Sequence, residues 1–505
     1  MSESRIHNAA LRGKIMSADE AAALINPGDN VGMSGFTGSG HPKEVPQALA
    51  RRIAAANLAN PERGENFKVG IWTGASTAPE LDGVLFKVNG GSMRLPYQSD
   101  PECRNRINAG DTWYTDAHLS HSAQNAAWGH YGKLDAALIE IVAILEDGRL
   151  VPSTSVGNNV TWLALAERVI LEVNAGLNAR LEGMHDIYSI ALPPHRKPIP
   201  ITRADERIGE PYLRVDPKKV VAVVETDCPD RDTKFSDPDE NSRRIAGHIL
   251  DFLQYEVKKG RIPANLLPLQ SGVGNVANAV MAGLNDGPYE NLTAYTEVLQ
   301  DGMLDMIRSG KLVYASATAV SFSKDALLDF NANLDTYRQR IILRPQEISN
   351  HPEIARRLGV ISMNGMLEAD IYGNVNSTHV LGSKMMNGIG GSGDFARNAY
   401  LSIFMTPSLA KNGALSCIVP MVSHVDHTEH DVQVLVTEHG LADLRGLAPR
   451  QRARRVIEKC ADPRFRPALA DYLARAEKNA NGLQTPHLLG EAYDWHLRAL
   501  RGESM

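Results

Sequence analysis

Two stretches of this chain share one plan, and that plan restricts the fold more than anything else in the sequence. In each, an apolar run ends in a Ser-Gly turn, a helical segment follows, and a second apolar run closes on threonine plus one residue. The first copy passes through Ser34-Gly35-Phe36-Thr37-Gly38 to Thr73-Gly74, the second through Ser271-Gly272-Val273-Gly274-Asn275 to Thr296-Glu297. A strand that leaves through a helix and returns as a strand is the crossover unit of a parallel sheet. Two such units predict an α/β chain built as an internal repeat. Open parallel sheets bind ligands at the turns beyond their strand C-termini. The Ser-Gly turns and the residues after each threonine are therefore candidate site positions. Where the first copy has Gly74, the second has a carboxylate, Glu297.

The rest of the chain fits around these copies. Ser17 predicts an N-cap for a helix over 18–24, and Asn30–Met33 predicts the strand that enters the first turn. Further strands are predicted at 68–74, 134–145, 169–173 and 219–224, and a helix over 44–56. Ile245, Ile249, Leu253 and Val257 make a helical stripe within 240–259. The polar, proline-bearing segment 227–239 marks the domain boundary, giving domains 1–230 and 231–505. The stretch 449–498, rich in Arg and Ala, predicts a helical C-terminal tail.

Composition narrows the function classes. At 505 residues, 43% hydrophobic and 22% charged, the chain is long enough for more than one domain. A net charge of −6 with no basic run gives no nucleic-acid or membrane surface. The cysteines, Cys103, Cys228, Cys417 and Cys460, have no paired spacing, which argues for a reducing, cytoplasmic setting and against structural zinc. No apolar run is long enough to span a bilayer, and 1–14 lacks the core of a signal peptide.

A second glycine cluster runs from Gly373 to Gly393, with six glycines in 21 residues. Glycines let backbone amides approach a ligand closely, and Asn374, Asn376, Lys384 and Asn387 flank them with polar groups. The run is not a dinucleotide fingerprint, because no ribose-binding acid follows at the required distance. Among carboxylates, Glu297 leads because a glycine turn accompanies it; an isolated glutamate before a helix is otherwise a cap or dipole partner. A carboxylate attacks an acyl group when donors stabilise the oxyanion and water is excluded. Glu438, in VTEHG, is the rival nucleophile, with pairing to Arg445 as its structural alternative. His424, Asp426, His427 and His430 suggest a metal site, but the segment reads as strand or loop, so the rings need not converge. No metal is expected. Arg231 and Asn350 stand alone in sequence.

Taken together, SGFTGSGHPKEVP (34–46), QSGVGNVANAV (270–280), YTEVLQDGM (295–303), EADIYGNVNST (368–378), GSKMMNGIGGSGDFARNAYLSIF (382–404) and VTEHGLADLRG (436–446) resemble the acetyl-CoA hydrolase/transferase branch of the class I CoA-transferases. Within that branch they are most like the succinyl-CoA:acetate CoA-transferases. The resemblance covers nearly the whole chain. It implies two tandem open α/β domains with a helical tail, the second carrying the catalytic glutamate and CoA site, and Glu297 as a nucleophile forming acyl-glutamyl anhydride and glutamyl-CoA thioester intermediates. It implies a CoA site from Gly272, Val273, Gly274, Asn275 and Val276, with Leu367 (through its backbone), Asn387, Gly391 and Lys411. The amides of Val273 and Gly391 are the implied oxyanion donors, and Asn350, Arg231 and Glu438 the shell around the reacting carboxylates. Coenzyme A is then a substrate, with no permanently bound cofactor. The partners are acyl-CoA and short carboxylates such as succinate and acetate, and the assembly is a homodimer. An acyl-CoA hydrolase using the same glutamate, and a non-catalytic ligand-binding protein on the same scaffold, are the alternatives.

Overall fold

Runs of Val, Ile, Leu and Ala without polar alternation become strands buried on both faces. The computed structural model describes residues 4–59, 66–234 and 237–505. Its chain divides into two compact units that are discontinuous in sequence. The first comprises Met1–Lys234, Tyr295–Leu304 and Tyr314–Ile354; the second comprises Phe235–Ala294, Asp305–Val313 and Ala355–Met505.

The first unit holds strands β1 (Asn30–Met33), β2 (Val69–Trp72), β3 (Gly91–Leu95), β4 (Trp113–Tyr114), β5 (Ala136–Ile144), β6 (Leu150–Pro152), β7 (Arg168–Asn174) and β8 (Val220–Thr226). Their order is β8-β7-β5-β1-β2-β3-β4, with β6 added antiparallel to β5 and the other pairings parallel. Helix α1 (Val45–Ala59) buries Val45, Ala48, Leu49 and Ile53. Its N-terminal amides are satisfied from the sheet: the Glu172 carboxylate on β7 accepts from Glu44 N and Val45 N, each at 3.1 Å. A carboxylate there also complements the positive end of the helix dipole.

The second unit contains α2 (Glu240–Lys258), β9 (Leu269–Ser271), α3 (Asn275–Asp286) and the start of β10 (Leu292–Tyr295). Strand β10 and the next strand, β11 (Leu312–Ala317), begin in the second unit and end in the first. In the first unit the end of β11 pairs parallel with β12 (Ile341–Leu343). In the second, β9 pairs parallel with β10 on one side and β13 (Ile361–Gly365) on the other. Then come β14 (Leu401–Met405) and β15 (Val434–Thr437), also parallel, and β16 (Gly440–Asp443), antiparallel. The tail forms α4 (Pro449–Cys460), α5 (Arg466–Asn479) and α6 (Asp494–Leu500). No helix among the described residues is long and apolar enough to cross a membrane.

The α/β class and helical tail are as the sequence implies, and β1-α1-β2 and β9-α3-β10 share the strand-turn-helix-strand layout. Chain membership differs from a simple cut at 230/231. The segments 295–304 and 314–354, with Glu297 and Asn350, group with the N-terminal residues: Val298 and Leu299 pair with Ala319 and Val320, and residues 318, 320 and 346 share backbone hydrogen bonds with the segment 154–157.

Candidate active site

Glu297 lies between β10 and a two-residue strand, Val298–Leu299, rather than in a turn running straight into a helix. Its carbonyl accepts from Thr318 N at 2.9 Å and Ala319 N at 3.2 Å. Val298 and Leu299 pair parallel with Ala319 and Val320. Ala319 in turn bridges Ser155, and Val156 N donates to Thr318 O at 2.9 Å. The segment 153–158 thus serves as a backbone brace for the segment beside Glu297. Both flanks of the residue are fixed by main-chain hydrogen bonds, so the carboxylate hangs from rigid backbone.

Asn350, buried at the end of the short helix Gln346–Ser349, donates Nδ2 to Glu297 Oε2 at 2.9 Å. The Ser349 hydroxyl donates to Asn350 Oδ1 at 2.9 Å, which orients the amide with its NH2 toward the carboxylate. Burial pushes the Glu297 carboxyl above the usual range, and the Asn350 hydrogen bond pulls the other way. A desolvated carboxylate is a stronger nucleophile than a hydrated one. Tyr97 was not singled out by the sequence. Its phenol is pushed up to about 12, first by burial and then by the negative charge of Glu297. It packs on an apolar cluster of Phe36, Ala75, Leu119, Val298 and Ala319. No motif surrounds Tyr97; only the fold brings it near.

Gly74 explains itself by space. A Cβ there would come within 2.7 Å of Gly35 O, 2.9 Å of Gln346 Oε1 and 3.2 Å of Gly157 Cα. Arg231 is exposed and follows a firmly held residue. Asp230 accepts from Lys43 Nζ at 2.8 Å and Gly40 N at 3.1 Å, and from Thr154 Oγ1. Lys43 also meets Glu140 at 2.7 Å. Burial pushes the Glu140 carboxyl up to about 8, whereas Asp230, also opposed by burial, is held below the usual range by Lys43 and His41.

The second unit carries the other predicted residues. Gly274, at φ 135°, adopts a backbone that L side chains rarely take, immediately before α3. Gly272 N donates to Met363 O at 2.9 Å, and Val273 is 56% exposed. A glycine turn opening a helix is a backbone site for anionic groups. Asn387 Nδ2 donates to Ser377 O and Gly388 O at 3.0 and 2.9 Å, and Gly391 begins the helix Ser392–Ala396. Leu367 N donates to Asn376 O at 2.9 Å. Lys411 is at a hairpin tip in the left-handed region, φ 47°.

Glu438 is 4% exposed, and both its oxygens are engaged. Oε2 accepts from Ser408 N at 2.7 Å and Oε1 from Ser408 Oγ at 2.6 Å, with His439 Nε2 at 3.4 Å. The Arg445 alternative is corrected: Arg445 pairs with Asp443 and Glu256 instead, reaching Glu256 with two nitrogens at 2.9 and 3.0 Å. The histidines do not share one centre. His427 meets Ser392 Oγ at 3.0 Å and packs on Phe404, while His424 faces Asp426 at 3.4 Å and stacks on His379.

Residues 1–225 match the family model of the acetyl-CoA hydrolase/transferase N-terminal domain, and residues 327–473 that of the C-terminal domain. The chain is 50% identical over 505 residues to a succinyl-CoA:acetate CoA-transferase of Clostridium kluyveri, covering 100% of this chain and 92% of the relative. It is 48% identical over 518 residues to an acetyl-CoA hydrolase of Schizosaccharomyces pombe, covering 99% and 98%. In fold it is similar to the crystal structure of RipA from Yersinia pestis, with TM-score 0.69 and 23% identity over 94% of this chain and 98% of that one.

Proposed function

This chain belongs to the acetyl-CoA hydrolase/transferase family, and we propose that within it the protein moves CoA between succinyl-CoA and acetate or a similar short carboxylate, with Glu297 as nucleophile. The observation that carries this is the contrast between two carboxylates. Glu438 is tied on both oxygens by Ser408, while Glu297 is partly buried, braced through its backbone and held, among the described residues, by a single side-chain donor, Asn350, that leaves its other oxygen for chemistry.

The Glu297 carboxylate attacks the thioester carbonyl, the C–S bond breaks, and CoA leaves as thiolate from an acyl-glutamyl anhydride. The thiolate then attacks the glutamyl carbonyl, releasing the donor's carboxylate and leaving a glutamyl-CoA thioester. Acetate attacks that thioester, thiolate leaves again, and its return to the acetyl carbonyl gives acetyl-CoA and free Glu297. Each step exchanges one acyl bond for another, so no net proton or electron is needed. A glutamate suits the role because its leaving ability matches that of the carboxylates it replaces; a serine ester would be too stable. The amides of Val273 and Gly391 stabilise the oxyanions. Gly272, Gly274, Asn275, Val276, Leu367, Asn387 and Lys411 hold CoA, whose remote binding energy organises the reacting end. Arg231, Asn350 and Glu438 order the carboxylates. A cytoplasmic setting, which the four free cysteines support, and a homodimeric assembly complete the reading.

The likeness to an acetyl-CoA hydrolase favours one second reading, with water as acceptor of the same intermediate. Chromatographic analysis of products from succinyl-CoA with and without acetate separates the two. Acetate-dependent acetyl-CoA with little free CoA is expected. Release of free CoA at the same rate without acetate would assign the hydrolase.

A further inference from the structure

The helix α6 reaches back from the end of the tail into the segment that precedes the second glycine cluster. His496, 3% exposed, places Nε2 at 2.9 Å from Glu368 Oε2. The other oxygen of Glu368 accepts from Asn376 Nδ2 at 3.0 Å, Ser423 N at 2.9 Å and Ser423 Oγ at 2.7 Å. Asn376 is a junction. Its carbonyl holds Leu367 N at 2.9 Å, and its Oδ1 accepts from Thr378 N and His379 N at 3.2 and 3.0 Å. Ser377, within that turn, accepts from Asn387 Nδ2 at 3.0 Å. One buried imidazole thus supports a chain of hydrogen bonds that ends on Leu367 and Asn387.

The same tail braces Lys411. Residues Leu409–Ala410 pair with Leu415–Ser416, and the tip between them holds Lys411 and Asn412 at φ 47° and 54°. Two consecutive non-glycine residues in the left-handed region are unfavourable unless the surroundings impose them. Met505 N and Ser504 Oγ both donate to Ala414 O, at 3.2 and 3.4 Å. Met505 is buried in one core cluster with Met366, Ala369, Val375 and Trp495.

We propose that His496 is a positioning residue for coenzyme A, acting through Glu368 and Asn376 on Leu367 and Asn387, while Ser504 and Met505, beyond its helix, steady the Lys411 hairpin. The inference rests on the CoA-binding role given above to those three residues. Its chemistry is specific: a ring N–H donates to a buried carboxylate that is otherwise satisfied on its far side. A glutamine reaches the same oxygen with its amide NH2, and an alanine leaves Oε2 without that donor while Oε1 keeps its own.

The test is titration calorimetry of free CoA on the full chain, beside steady-state kinetics, for wild type, His496→Ala, His496→Gln and Glu368→Gln. His496→Ala is expected to weaken CoA binding and raise the KM for acyl-CoA by about tenfold, the loss of one charge-assisted hydrogen bond. The KM for the acceptor carboxylate and kcat are expected to stay within about twofold, and His496→Gln to recover most of the affinity. Glu368→Gln, which keeps the shape of the junction, is expected to weaken CoA binding in the same way. Unchanged CoA affinity in both His496→Ala and Glu368→Gln overturns the inference. So does a uniform loss of kcat and of both KM values that glutamine does not relieve. A wild-type chain that binds no CoA overturns the functional reading, and this one with it.

Discussion

Glu297 and Glu438 both follow β-strands, and their surroundings give them different chemistry. Replacing Glu297 by Ala is expected to abolish turnover, a loss of at least about a thousandfold, because the rival carboxylate, Glu438, is held on both oxygens by Ser408. The check is steady-state kinetics on folded variant. Since burial raises the Glu297 pKa and Asn350 lowers it, Asn350→Ala is expected to move the acid limb of the kcat/KM profile to higher pH. A profile superimposable on wild type would remove Asn350 from that role. The same shift has a stability sign. A carboxyl raised in the fold favours the folded state at pH below its unfolded value and loses that contribution as pH rises through its folded value. Glu297→Gln is therefore expected to raise Tm at neutral pH and to leave it unchanged near pH 3, as differential scanning calorimetry would show.

At the scale of elements, the close approach of three glycine-bearing turns decides what the site tolerates. Gly74→Ala is expected to destabilise the protein by about 1–3 kcal/mol. Its Cβ meets the Gly35 carbonyl at 2.7 Å, and backbone cannot move aside as a side chain would. Denaturant unfolding checks this. The elements themselves were legible: Asn30–Met33 is the strand predicted, and the stripe at 240–259 is helix α2, Glu240–Lys258. Ser17 closes a capping box on its helix. What was not legible depends on pairing between distant segments. Nothing local in 153–158 announces that Ser155 will bridge Ala319, nor in Ser408 that it will hold Glu438. Asn350 looked isolated for the same reason, and the Arg445 pairing was misread because Glu256 is remote in sequence.

The whole molecule folds by returning its chain to an earlier unit. Segments 295–304 and 314–354 complete the unit begun by residues 1–234. Arg344, fully buried, pairs with the equally buried Asp186 and donates to Ser316 Oγ at 2.8 Å. A fragment ending at Lys234 would lose that cation and uncover Asp186, which keeps only its bonds from Ile208 N and Gly209 N, and would leave the backbone of 154–157 without its partners at 318–320 and 346. Such a fragment is expected to lack cooperative unfolding by circular dichroism, although the 230/231 boundary looks like a clean cut in sequence. A sharp two-state transition in it would show that the first unit does not need the later segments.

The central claim is that Glu297 carries the covalent step. It is tested most directly by peptide mass spectrometry of the full chain mixed with succinyl-CoA or acetyl-CoA, acceptor withheld, beside Glu297→Ala. The account predicts a CoA adduct on the peptide containing Glu297, absent in the variant and discharged by added acetate or succinate. An adduct on the Glu438 peptide, or one that persists in Glu297→Ala, would contradict it.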